Sequence, residues 1–259
     1  MSDTISDMTI KLILPVAVVI AVISGAFFYV SNKNKESDTS SNVTQPELTQ
    51  ATEDSAFNKT QYSVTDPSSI WVIVNKQNSI PITYESALVV PDVRLRLSAN
   101  EEQMQISSEI KNQVEELFTA ASADGVELVF GSGYRSGSLQ KQFYDSYVAK
   151  DGATAADTYS ARPGHSEHQT GLAFDVTSPE GICHLQICFK DTPQGKWIAN
   201  NSYKYGFIVR YQEGKEGTTG YQYEPWHLRY VGTELANEIY KSNQTLEEFF
   251  ELRPAPNYD

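Results

Sequence analysis

Basic residues are scarce in this sequence. Its 259 residues include 20 Lys and Arg against 33 Asp and Glu, which gives a formal net charge of −13 and a pI of about 4.7. A nucleic-acid-binding protein needs a positively charged surface, so the composition argues against a nucleic-acid partner. The acidity by itself selects no substrate, and no internal repeat is visible.

Cysteine is almost absent, because Cys183 and Cys188 are the only two in the chain. We favour a disulfide that closes a short loop, as expected of a protein outside the cytoplasm, provided that the geometry permits it. Two free thiols are the main alternative. A metal site that includes His184 is disfavoured, because a closed structural zinc site has four ligands and only three are local.

Long apolar runs are also rare, and the one that is present covers residues 12–30, after a short N-terminal tail of residues 1–11. It contains no charged residue and is long enough to cross the hydrocarbon core of a bilayer. We expect an uncleaved transmembrane signal anchor. A cleaved signal peptide is the alternative, since Ser24-Gly25-Ala26 has the small-x-small form of a cleavage site. Lysines flank the run on both sides, so the positive-inside rule leaves the orientation open.

Residues 31–65 are rich in Ser, Thr, Asn, Asp and Glu and poor in large apolar residues. Such a segment cannot bury enough surface to order itself, so we expect a flexible polar linker. Residues 66–259 then have the right length for one globular domain.

Helical and strand-like patterns are mixed in this domain without regular βαβ alternation, which predicts an α+β fold with an antiparallel sheet. Residues 161–170 are rich in Gly, Pro, Ser and His and are expected to form a loop. From the periodicity of the apolar residues we predict helices over 101–123, 138–150, 195–205, 233–242 and 246–252, and strands over 69–75, 126–130, 171–176, 207–211 and 221–230.

Two histidines and an aspartate are the candidate metal ligands. His168 lies in the Gly- and Ser-rich loop, where functional residues concentrate, and His227 follows an aromatic-rich segment. Asp175 interrupts an apolar run and needs a partner if it is buried. These three side chains can hold a zinc ion and leave a fourth position for water. A salt bridge of Asp175 with Arg162 or Arg210 is the structural alternative.

Glu224 precedes His227 by three residues and is the candidate general base, because a carboxylate there could accept a proton from metal-activated water. A solvated carboxylate at a strand edge is the alternative. In a straight strand Glu224 and His227 would point to opposite faces, so Pro225 must bend the chain for both to reach one site.

The pattern Ser-x-His-x-x-Gly-x-Ala-x-Asp from Ser166, followed by Glu-x-Trp-His from Glu224, resembles the signature of the VanY-type D-alanyl-D-alanine carboxypeptidases. These belong to a group of zinc peptidases that includes the hedgehog-like fold, with a small antiparallel sheet and flanking helices. The resemblance extends to residues 132–136, 205–207 and 229–232 and covers most of residues 70–250. The cysteine-bearing insert at about 180–192 is the part that does not match clearly.

The resemblance implies one Zn²⁺ per chain, with His168, Asp175 and His227 as ligands and Glu224 as the general base that later protonates the leaving amine.

It also implies that Arg135 stabilises the developing oxyanion, or binds the substrate carboxylate, and that Gln140 and Ser166 hold the terminal D-residue. The structural alternatives are a turn residue at the surface for Arg135, a helix-surface residue for Gln140 and a local backbone cap for Ser166.

The function that follows is a zinc carboxypeptidase of the bacterial cell membrane, with its catalytic domain outside the cytoplasm, that removes the terminal D-Ala from peptidoglycan stem peptides. An L,D-carboxypeptidase acting on tetrapeptide stems, or an endopeptidase, would use the same apparatus. A non-catalytic wall-binding module is an alternative of another class, and the presence of Glu224 argues against it because a pure binder needs no base.

Overall fold

The structure, a computed structural model, describes residues 57–259. The predicted N-terminal tail, the predicted anchor over 12–30 and most of the predicted linker lie outside the described residues. Within residues 57–259, no helix combines the length and apolar character needed to cross a membrane.

A four-stranded antiparallel sheet forms the centre of the described region. Its strands are β3 (Val129–Ser132), β4 (Ala173–Thr177), β5 (Phe207–Val209) and β6 (His227–Tyr230), arranged in the order β3-β4-β6-β5. A separate two-stranded antiparallel sheet pairs β1 (Leu88–Val89) with β2 (Ile106–Ser107).

Helices flank the sheet, so the α+β class with small antiparallel sheets and helices is confirmed. The α-helices are α1 (Lys111–Ala123), α2 (Gly137–Asp151), α3 (Ala153–Tyr159), α4 (Pro193–Asn201), α5 (Glu216–Thr219), α6 (Thr233–Ser242) and α7 (Leu246–Phe249), and short 3-10 helices cover Glu102–Met104, Ser108–Ile110, Glu167–Thr170, Ile187–Asp191 and Ser202–Tyr205.

The alternation of side chains along the two central strands separates the core from the site. Phe174 is opposite Leu228 in the register and both belong to the main apolar core, where Phe174 stacks on Phe130 with ring centroids 5.3 Å apart. The next residues along the strands, Asp175 and His227, also form a register pair and point to the other face. One face of the sheet therefore fills the core while the other carries polar groups.

The predicted strand over 69–75 is wrong, since residues 69–71 form turns and bends and residues 72–74 have no regular secondary structure. The alternation is real but has another cause: Val72 and Val74 pack in the main core, whereas Trp71 and Ile73 pack in a second core against α6 and α7. The carbonyl groups of Ile70 and Val72 accept hydrogen bonds from the Arg229 guanidinium instead of from a neighbouring strand.

Other predicted elements are shorter than expected. The predicted helix over 101–123 becomes α-helical only at Lys111, and the residues before it form 3-10 turns and β2. The predicted strand over 221–230 is a strand only from His227. The structure adds α3, which the periodicity did not indicate, and confirms the helix over 233–242.

Candidate metal centre

The three predicted ligands converge in the structure. Asp175 and His227 lie side by side on β4 and β6, and His168 reaches them from the 3-10 helix Glu167–Thr170. One ligand atom from each lies within 4.8 Å of the others, and all three residues are buried. His227 Nδ1 is 3.2 Å from Asp175 Oδ1, and His168 Nε2 is 3.6 Å from Asp175 Oδ2.

Gly171 explains why the chain can place His168 here. It ends the 3-10 helix with φ of +72°, and a Cβ atom at this position would lie 2.8 Å from the backbone nitrogen of Ser107. Glycine adopts this left-handed conformation without a steric penalty. Gly171 therefore lets the chain turn sharply after His168 and enter β4, which carries Asp175.

Hydrogen bonds orient His168 and Asp175. The Nδ1–H of His168 donates to the Gly133 carbonyl at 2.7 Å, which leaves Nε2 free to face Asp175. The Ser132 hydroxyl donates to Asp175 Oδ2. Partners of this kind fix the tautomer and the direction of metal-binding groups, so the donor set fits a divalent cation such as zinc, which prefers His nitrogen and Asp oxygen.

The electrostatics of the three donors are consistent with a cation site. Burial lowers the pKa of His168 to about 3, so this imidazole is neutral and its lone pair is available. Burial would raise the pKa of Asp175, but the two histidines hold it below its usual range. Burial would also lower the pKa of His227, yet its hydrogen bonds to Asp175 and Glu167 raise it to about 9. Metal binding at such a site displaces a proton.

The salt-bridge alternative for Asp175 is not what the structure shows. Arg162 pairs with Asp157 at 2.8 Å. Arg210 pairs with Glu167 at 2.7 Å and is not a partner of Asp175. The groups that face the Asp175 carboxylate are the two histidines and the Ser132 hydroxyl.

Glu224 lies beside the same donors. Residues 224–226 form a turn that precedes β6, and the His227 backbone N–H donates to the Glu224 carbonyl at 3.1 Å. The bend at Pro225 therefore lets both side chains reach one site, with Glu224 Oε2 3.9 Å from His227 Nδ1. Burial raises the pKa of Glu224 to about 7, against the opposing effect of His227. A pKa near the working pH suits a general base.

A cavity of about 280 Å³ opens over these groups and includes Arg135 and Ser166 in its wall. Arg135 Nη1 donates to Gln140 Oε1 at 2.8 Å, while its buried Nε–H has no hydrogen-bond partner within residues 57–259. A buried donor without a partner costs free energy, so an acceptor that reaches this nitrogen would stabilise the site. The cavity is lined by Arg135, Tyr147, Tyr159, Ser160, Ala161, Ser166, Glu167, His168, Asp175, Leu185, Tyr211, Tyr221, Gln222, Glu224, Trp226 and His227.

Gln140 occupies a different place from the one expected. Its side chain is fully buried behind the cavity wall, where it accepts from Arg135 and donates to the Ala161 carbonyl. The structure therefore does not bring Gln140 to the substrate space, and its contacts are those of a support for Arg135.

Glu167 is the site residue that sequence reasoning missed. It is 1% exposed, and it lies between Arg210 and Arg229 with its other oxygen 3.4 Å from His227 Nε2. Its position between Ser166 and His168 was the available signal, because a charged residue inside a buried motif must have partners.

Cys183 and Cys188 form a disulfide in the structure, which leaves neither sulfur free as a metal ligand. The bond closes a loop that carries exposed aliphatic side chains at Leu185 and Ile187, and Leu185 lines the cavity. Ile182, directly before the loop, is also exposed. The cysteine-bearing insert therefore forms part of the rim of the site.

We expect a double replacement of Cys183 and Cys188 by Ser to loosen this rim. The chain-entropy account of such a short loop gives a loss of about 2 kcal/mol in the free energy of unfolding. KM for a peptide substrate should rise while kcat changes little, since the loop touches the cavity but not the metal donors. Urea unfolding and steady-state kinetics measure the two effects. Leu185→Ala is the matched control, because it should raise KM without the stability loss, and an unchanged KM in both variants would contradict a role for the rim.

A buried His, Asp and His set with an adjacent carboxylate and an arginine, all at one cavity, is the arrangement of a metallopeptidase. Comparison with known proteins gives the family. The model of the VanY family, described as D-alanyl-D-alanine carboxypeptidase, matches residues 103–233, and the chain belongs to this family.

Similar proteins extend beyond that region. The putative carboxypeptidase YodJ of Bacillus subtilis is 39% identical over 92% of this chain and 95% of its own length. A solved LD-carboxypeptidase, LdcB, is 45% identical with a TM-score of 0.69 and covers 71% of this chain and 87% of its own. A mutant of the vancomycin-resistance D,D-pentapeptidase VanY, solved with Zn(II), is 37% identical with a TM-score of 0.58 and covers 71% of this chain and 99% of its own.

Proposed function

We propose that this protein is a zinc-dependent carboxypeptidase that removes the terminal D-Ala from peptidoglycan stem peptides, with the D-Ala-D-Ala bond of a pentapeptide stem as its target. The observation that carries the proposal is the convergence of His168, Asp175 and His227 beside Glu224 and Arg135 at one cavity. The Zn(II)-containing VanY relative supports the choice of metal and of bond.

A zinc ion held by the two histidines and Asp175 would supply a Lewis acid and lower the pKa of water to about 7. The remaining chemistry belongs to the side chains of this chain. Glu224 is close enough to the donors to accept the proton of the attacking water and to return it to the leaving amine.

Arg135 also lines the cavity, and its buried Nε–H has no hydrogen-bond partner within residues 57–259. The Arg135 guanidinium is held in place by Gln140. It can therefore stabilise the negative charge that develops on the scissile carbonyl, or bind the C-terminal carboxylate that an exopeptidase must recognise. Ser166 also lines the cavity and is available for a hydrogen bond to the terminal residue.

The proposed location is the bacterial cell membrane, with the catalytic domain outside the cytoplasm. The apolar run over 12–30 and the polar segment over 31–65 support a tethered domain, because the first has the length of a membrane span and the second has the composition of a linker. A disulfide in the domain is typical of proteins outside the cytoplasm.

A second candidate is L,D-carboxypeptidase activity, in which the terminal D-Ala leaves a tetrapeptide stem. The specific observation that favours it is the similarity to the LD-carboxypeptidase LdcB, at 45% identity and a TM-score of 0.69. The metal donors, the base and the arginine would serve either bond, so the difference between the two activities lies in how the cavity accepts the penultimate residue.

The test is to incubate the purified protein with pentapeptide and tetrapeptide stems and to determine the masses of the products. We expect loss of one alanine, faster from the pentapeptide, with activity removed by a chelator and restored by Zn²⁺. Faster loss from the tetrapeptide would select the second candidate, and larger fragments would indicate an endopeptidase. A protein that releases nothing from either stem would contradict the proposal and favour a wall-binding module.

A further inference from the structure

A network of four buried charged side chains adjoins the metal centre through Glu167, which also lines the cavity. Arg210 is held between Glu247 and Glu167, at 2.6 Å and 2.7 Å, and Arg229 donates to Glu167 at 2.9 Å. All four side chains are 0% exposed. Burying charges costs free energy unless each one is paired, and here two carboxylates balance two guanidiniums.

Glu167 is the member of this network that reaches the site. Both arginines donate to the same oxygen, Oε1. The other oxygen, Oε2, is 3.4 Å from His227 Nε2. A carboxylate between two guanidiniums is negatively charged and can only accept hydrogen bonds. The Nε2 of His227 therefore carries a proton that points to Glu167. Nδ1 lies 3.2 Å from Asp175 Oδ1, so it is the ring nitrogen on the side of the other two metal donors.

His168 is oriented in the opposite sense. Its Nδ1–H donates to the Gly133 carbonyl, and its Nε2 faces the site. The two histidines thus present different ring nitrogens to the metal site. In each ring, the acceptor on the far side determines which nitrogen carries the proton. For His168 the acceptor is a backbone oxygen, which no side-chain substitution removes, whereas for His227 it is the side chain of Glu167.

We infer that Glu167 is a positioning residue for the metal: it fixes His227 in the tautomer whose Nδ1 is the ligand, and the Arg210 and Arg229 pairs hold it in that position. Carboxylates behind metal-binding histidines act in this way, and their loss weakens metal binding by about 10–100-fold. The inference rests on the proposed zinc site and assigns the tautomer of one of its ligands.

The two glutamates of the network provide a matched pair of variants. In Glu167→Gln, the amide oxygen can still accept from both arginines, but its NH2 group would face His227 Nε2 and favour the tautomer with the proton on Nδ1. Glu247→Gln removes the same charge from the same network, and Glu247 bonds to Arg210 and Asn75 but not to His227.

The experiment measures the zinc affinity of the full-length protein and both variants by competition with a chromogenic chelator, together with their thermal unfolding. We expect Glu167→Gln to weaken zinc binding by about 10–100-fold and Glu247→Gln to leave it within a factor of about three, although both variants lose stability. Equal zinc affinities of the native protein and Glu167→Gln, or an equal loss in both variants, would overturn the inference while leaving the proposed function intact. Failure of the native protein to bind zinc would overturn both.

A second measurement uses the native protein and does not depend on whether a variant folds. The chain has four histidines, so long-range ¹H–¹⁵N spectra of the zinc-loaded protein with ¹⁵N-labelled histidine can be assigned to single residues. We expect the remaining ring proton on Nε2 in His227 and on Nδ1 in His168. A proton on Nδ1 of His227 would overturn the inference.

Discussion

Glu224→Gln is expected to lower kcat by about 10²–10⁴-fold, which is the range for loss of a general acid–base group. The substitution keeps the size and shape of the side chain and removes its ability to accept a proton. Zinc affinity should stay close to that of the native protein, because Glu224 Oε2 lies 3.9 Å from His227 Nδ1 and is not one of the three converging donors. Steady-state kinetics on stem peptides and a metal titration check the two parts.

Glu213→Gln is the matched control for this variant. Glu213 is an exposed carboxylate that pairs with Lys190 at 2.8 Å, and exposed pairs of this kind contribute little to stability. We expect its kinetics to match those of the native protein. A Glu224→Gln protein that binds zinc and keeps near-native kcat would show that another group moves the proton.

Arg135→Ala is expected to lower kcat/KM by about 10²–10³-fold, the usual cost of removing a group that stabilises developing negative charge. The guanidinium is held by Gln140 and has a buried donor without a partner within residues 57–259, so it is oriented before the substrate arrives. Kinetics on the preferred stem peptide, with zinc content measured in parallel, test this expectation.

The way in which the loss divides between kcat and KM identifies the role of Arg135. A fall in kcat at constant KM indicates stabilisation of the oxyanion, whereas a rise in KM indicates binding of the substrate carboxylate. Arg253→Ala, at an exposed arginine paired with Asp259, is the control and should have native kinetics. Native activity of Arg135→Ala would show that Arg135 has no role in catalysis or substrate binding.

The metal centre could be predicted from the sequence because each ligand carried a local signal. Asp175 interrupts an apolar strand, and its neighbours Phe174 and Val176 are buried in the core as expected. The carboxylate is therefore on the other face, opposite His227 in the register. The pattern predicted residues of one site, while the distances among their atoms came only with the fold.

The roles of Glu167 and Gln140 could not be predicted from local sequence patterns. The partners of Glu167 are 43 and 62 residues away along the chain, and no spacing rule links them to it. Gln140 was expected at the substrate, but the packing of α2 directs its side chain to Arg135 and Ala161. In both cases the role depends on long-range packing.

The wrong prediction of a strand over 69–75 also results from long-range packing. Apolar alternation usually means that one side of a strand faces a core, but here successive residues enter two different cores, with Val72 in one and Ile73 in the other. The sequence pattern reports burial correctly. It does not show which groups form hydrogen bonds with the backbone. Here the Arg229 guanidinium donates to the carbonyl groups of Ile70 and Val72.

The most direct test of the central claim is an anomalous difference map from crystals of the zinc-loaded protein, recorded on both sides of the zinc absorption edge. We expect one zinc ion per chain, bound by His168, Asp175 and His227 at about 2.0–2.2 Å. A zinc ion held by other residues, or any of these three side chains outside bonding distance of it, would show that they do not form the metal site.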